Sequence, residues 1–145
     1  MTMKSHRLAR SLLLAIGLAC ATAAQPQDVV AVVSAKSPVG ALNASQVADI
    51  FLGKTSRFPD GTHAVPIDQD EDSPAREKFY AYYTGKSPAQ VKAHWSRIIF
   101  TGRGQPPRQV ATSAEAKKMV ADNPQAIGYI DNRLVDATVR VLATR

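Results

Sequence analysis

Apolar residues recur along this chain at two alternating periods, and the switches between them outline its elements. Asp28 to Ser34, DVVAVVS, is a short β-branched apolar run that reads as a buried strand. Val47, Ile50 and Phe51 then fall at i, i+3 and i+4 behind Asn43, with Gln46 three residues after it. That capping-box pattern predicts a short helix ending at Gly53. KTSRFPDG reads as a loop with Asp60-Gly61 as its turn, and HAVPI, ending at Ile67, as a second strand.

Further helices carry their own start signals. Ser73-Pro74 supplies an N-cap and a proline at the first helical position, with Phe79, Tyr82 and Tyr83 expected on one face. Ser87 to Gln90 is another capping box, and Val91, Trp95, Ile98 and Ile99 form a stripe down to Phe100. TGRGQPPRQ is irregular by composition; Thr112 and Glu115 then cap a helix bearing Ala116, Met119 and Val120, which ends at Asn123-Pro124. AIGYID (126–131) and TVRVL (138–142) close the chain as strands. Strands alternating with helices predict an α/β domain with one sheet, and no internal repeat or linker divides it.

The first 24 residues differ in kind from the rest. Lys4, Arg7 and Arg10 precede an apolar run that ends in small residues, the three-part form of a secretory signal, with cleavage expected after Ala23 or Ala24. The run is too short to span a bilayer, which takes roughly 20 apolar residues. Cys20 offers the alternative of a lipid-anchored first residue. The expected organisation is therefore a signal peptide over 1–24 and one exported, periplasmic domain over 25–145. Without the signal the formal charge falls from +6 to +3, since that segment carries three basic residues and no acid. No dense basic stripe remains to demand nucleic acid.

Catalysis has little support in the sequence. Beyond the signal the chain has His63 beside a turn and His94 on a helix; no G-x-S-x-G elbow accompanies them, and they lack a paired spacing for zinc. No enzyme, no cofactor and no metal is expected. VPIDQDEDSPAREKFY (65–80) concentrates four carboxylates at a helix start. Asp68, Asp70 and Asp72 match the first, third and fifth places of an EF-hand count, but Ser73 and Phe79 occupy the places that need Gly and a bidentate Glu. Acids opposing the positive end of a helix dipole are the simpler account. Arg103 and Arg108, among glycines and prolines, fit either an anion site or an exposed loop.

ADIFLGK (48–54), VPIDQDEDSPAREKFYAYYTGK (65–86) and NPQAIGYID (123–131), in that order, resemble the phosphate-binding proteins of bacterial ABC transporters, in particular a short single-lobe group of exported chains. The resemblance covers most of residues 28 to 135. It implies a single lobe of a type II periplasmic-binding-protein-like fold, a mixed sheet with flanking helices. In the family the segment matching 68–75 has the form R-R-A-D-G-S-G-T and starts a helix that holds phosphate, the ordinary behaviour of helix N-termini toward anions. Carried across, the ligand Arg falls on Gln69, the Ser on Ser73, the second Gly on Pro74 and the Thr on Ala75, while Asp72 replaces the first Gly. Ser73 alone keeps the family's residue. The implied ligand-binding set is Gln69, Ser73, Ala75 and Arg76, with Gly102 and Arg103 from the glycine-rich loop as compensating groups. The implied ligand is phosphate or another small oxyanion, and the implied partner an ABC permease or another envelope protein. The alternative is an envelope protein–protein interaction module that has lost the small-molecule site and presents the acidic helix start.

Overall fold

The computed structural model describes residues 28–142. The expected signal segment and Cys20 lie outside the described residues. Five strands and four helices follow one another as β1 (Val29–Ser34), α1 (Ala44–Phe51), β2 (Val65–Gln69), α2 (Pro74–Thr84), α3 (Pro88–Phe100), β3 (Arg108–Val110), α4 (Ser113–Asp122), β4 (Ala126–Asp131) and β5 (Val139–Val141), with one 3-10 turn at Asn132–Leu134.

The strands form one mixed sheet in the order β3-β2-β4-β1-β5. β2 runs parallel to both β3 and β4, pairing Ile67 with Arg108 and Val65 with Ala126. β1 is antiparallel to β4 and to β5, with Val32 opposite Gly128 and Val141. Every β1 residue is buried, as its unbroken apolar run requires of a strand covered on both faces. Ala31 and Val33, with Ile127 and Tyr129 of β4, pack on the side of α1, α2 and α3. Val30 and Val32, with Ala126 and Ile130, pack on the side of α4.

Aromatic packing secures the first of these layers. The Phe79 ring stacks on Tyr129 at 4.0 Å between centroids, and Phe51 meets Phe79 edge-on at 4.7 Å. A fully buried side chain of this size contributes about 1.5–3 kcal/mol, against about 0–1 kcal/mol for an exposed ion pair such as Lys78–Asp28. Burial, not surface charge, holds α1 and α2 to the sheet. On the other face Gly128 lets α4 sit close: a Cβ there would lie 2.8 Å from Val120 Cγ2. Gly53 is left-handed at φ 72, and its missing Cβ leaves room for the Trp95 ring.

Several boundaries differ from the sequence expectation for identifiable reasons. β2 begins two residues later and runs through Asp68 and Gln69, because both polar side chains find buried partners. The buried stripe of α2 is Arg76, Phe79, Tyr80 and Tyr83, so Tyr82 is exposed. Arg76 completes the helical period that its charge conceals. On α3 only Val91 and Trp95 are buried; Ile99 and Phe100 face solvent where the helix runs past the sheet. The irregular TGRGQPPRQ segment ends in β3, an edge strand held by its parallel pairing with β2 rather than by any apolar run.

Candidate functional site

Asp68 and Gln69 end β2 and, as neighbours in a strand, point to opposite faces. Asp68 lies under α2, where Tyr80 Oη donates to its Oδ2 at 2.6 Å and the Tyr129 hydroxyl donates to its Oδ1. The Gln69 backbone N–H donates to Oδ1 as well, at 2.8 Å. Arg76 Nε stands 3.5 Å from the same carboxylate without forming a hydrogen bond, and its guanidinium lies 5.2 Å from the Tyr80 ring centre. Burial, and after it the Asp68 charge, pushes both phenols far above the ordinary tyrosine range. Asp68 is therefore not one of a surface set of capping acids, as the sequence suggested; it anchors an internal polar cluster.

Gln69 is 1% exposed, and its amide joins three elements. Nε2 donates to the Tyr129 carbonyl at 2.9 Å and to Ser113 Oγ at 3.2 Å, while Oε1 accepts from Ser73 Oγ at 2.7 Å. Ser113 Oγ also accepts from the Asp131 N–H at 3.2 Å. The end of β4, the start of α2 and the start of α4 are thereby tied to one side chain. Ser73 keeps the extended N-cap backbone but, because its hydroxyl is spent on Gln69, makes no side-chain capping bond, contrary to the sequence expectation.

Outside this amide lies a cleft of about 870 Å³ at the carboxyl ends of β2 and β4, lined by the first residues of α2 and α4. Open α/β sheets bind ligands in such crevices, and paired helix N-termini favour anions. The side chains oppose that preference. Asp28, Asp70, Asp72 and Asp131 line the cleft against Lys78 and Arg133. Both cations are already engaged: Lys78 Nζ lies 3.0 Å from Asp28, and Arg133 Nη2 lies 2.7 Å from Asp131, whose carboxyl its hydrogen bonds hold down at about 2. Among the described residues Asp70 and Asp72 have no basic partner. A unit charge at about 7 Å in an effective dielectric near 20 is worth about 2 kcal/mol, whereas a helix terminus supplies about 0.3–1 kcal/mol. Carboxylates at such distances work against the attraction of the amides for a phosphate dianion.

The structure brings Gln69, Ser73 and Ala75 to this cleft. Arg76 is buried on the Asp68 side of α2, Gly102 forms the left-handed turn after α3 at φ 68, and Arg103 lines a different cleft beside Val65 and Pro66, at the opposite end of β2. Sequence reasoning missed Tyr80, Ser113 and Tyr129; the one visible signal was a polar Asp-Gln pair ending an apolar strand. Of the histidines, His94 bonds the Leu52 carbonyl at 2.8 Å and His63 is exposed. Among the described residues no three His, Cys, Asp or Glu side chains gather to hold a metal ion, and no helix is long and apolar enough to cross a membrane.

No family model and no curated protein matches the chain. Solved structures do match. A structure described as a phosphate ABC transporter substrate-binding protein with bound phosphate, from Clostridium perfringens, aligns at TM-score 0.65 and 21% identity, over 81% of this chain and 44% of that one. An ABC-type phosphate transport receptor from Vibrio cholerae aligns at TM-score 0.62 and 20% identity, over 81% and 46%. PstS from Borrelia burgdorferi aligns at 0.55 and 12%, over 81% and 47%. The chain spans less than half the length of each. Its fold is that of a single periplasmic-binding-protein-like lobe.

Proposed function

We propose that this chain is an exported, non-catalytic binding lobe, related in fold to phosphate-uptake receptors, whose oxyanion seat has been converted into internal structure and whose acidic cleft receives a cationic surface of an envelope protein. The observation that carries this reading is the Gln69 amide: where the phosphate-binding pattern calls for a ligand Arg, a neutral side chain spends its hydrogen bonds on Ser73, Ser113 and Tyr129. Pro74 has no N–H to offer an anion. A protein partner, such as a permease or another envelope component, brings the cations that Asp70 and Asp72 lack among the described residues.

Carbodiimide cross-linking in intact envelopes tests this, because it joins carboxylates to lysines in contact with them. The expected product links Asp70 or Asp72 to one defined protein and disappears in an Asp70→Asn, Asp72→Asn variant. Cross-links unaffected by that variant would remove the cleft from the interaction. A second reading, direct phosphate binding, is favoured by the two helix N-termini at the cleft and by the phosphate in the Clostridium perfringens structure. Phosphate titration separates the two.

A further inference from the structure

At the other end of β2, beside Val65 and Pro66, a second cleft of about 730 Å³ opens between the segment after α1, the turn around Arg57 and the glycine-rich loop after α3. Its volume lies in the range of small-molecule sites, roughly 300–1,000 Å³. Lys54, Arg57, Arg103 and Arg108 line it, and no Asp or Glu does. Lys54 reaches Asp49 just outside at 3.7 Å, and Arg57 donates to the Gly61 carbonyl at 2.9 Å. Arg103 and Arg108 form no ion pair among the described residues. Four like charges around one cavity repel one another, an arrangement that an anionic ligand relieves.

Trp95 also lines this cleft, at 7% exposure. Trp95 and Ile98 add apolar wall beside the cations.

We propose that this second cleft is a binding site for a small organic polyanion, whose phosphate or carboxylate groups meet Arg103, Arg108, Arg57 and Lys54 while its body lies against Trp95 and Ile98. The site shares no lining residue with the acidic cleft, so it stands or falls independently of the partner proposed there.

Trp95 is the chain's single tryptophan and lines this cleft, so its fluorescence gives a readout there. Inorganic pyrophosphate and citrate, titrated at low ionic strength, separate the two anion chemistries. At least one should give a saturable change that an Arg103→Gln, Arg108→Gln variant weakens more than tenfold; both arginines are exposed, and a Lys54→Gln, Arg57→Gln variant provides a second test of the same cleft. A Lys36→Gln, Lys118→Gln variant removes equal charge away from the cleft and should bind within twofold of the native chain. Saturation by one probe alone assigns the head group. No saturable response to either probe, or equal weakening by the on-cleft and off-cleft variants, would overturn the proposal.

Discussion

Gln69 decides what the acidic cleft can hold. A buried amide with three side-chain hydrogen bonds contributes geometry to β4, α2 and α4 together. Removing it in Gln69→Ala leaves the Tyr129 carbonyl and two serine hydroxyls short of partners, at about 1–3 kcal/mol for each group that water does not reach. The variant should lose about 2–3 kcal/mol of unfolding free energy, read from urea denaturation; a loss under about 0.5 kcal/mol would mean that the amide holds nothing. Tyr80 and Tyr129 supply a pH test on the opposite face. Their folded pKa values are raised, so the stability they contribute is fully present below about pH 10, where unfolded tyrosines titrate, and is lost as pH rises beyond it. Each such group should add about 1.4 kcal/mol per pH unit to the decline above that point. Tyr129→Phe should make the fall in the urea midpoint shallower by one group, and an unchanged slope would show that this phenol titrates normally.

The elements were legible in the sequence wherever apolar period and cap agreed. Asn43 with Gln46 and Ser87 with Gln90 form the reciprocal capping boxes their spacing predicts. Elements held by contacts distant in sequence were not legible: β3 exists because β2 lies beside it. Arg76 was missed for a different reason, since its charge hides a place in the buried stripe of α2 that Asp68 and Tyr80 accommodate. The candidate site was half legible for the first of these reasons. Gln69, Ser73 and Ala75 are neighbours along the chain, but their partners Ser113 and Tyr129 arrive from α4 and β4, at separations no local pattern encodes. The α4–β4 contact itself is testable. Gly128→Ala should cost about 1–3 kcal/mol through overpacking against Val120. Combining it with Val120→Ala should cost less than the two single changes together, because the smaller side chain vacates the space the new methyl needs. Full additivity would mean that the helix shifts instead.

At the scale of the molecule, one sheet separates two clefts of opposite charge, an acidic one at the carboxyl ends of β2 and β4 and a basic one where β2 begins. The fold is a single periplasmic-binding-protein-like lobe, and the carboxyl end of its sheet carries Asp70 and Asp72, without basic partners among the described residues, beside an amide already committed to the protein. Isothermal calorimetry of the chain over residues 25–145 with inorganic phosphate measures the consequence directly. The native protein should release no binding heat at millimolar phosphate, since the Gln69 amide and the Ser73 hydroxyl are bonded to each other and the cleft repels dianions. A saturable isotherm with a micromolar dissociation constant, abolished by Ser73→Ala, would contradict the account and return the chain to phosphate capture.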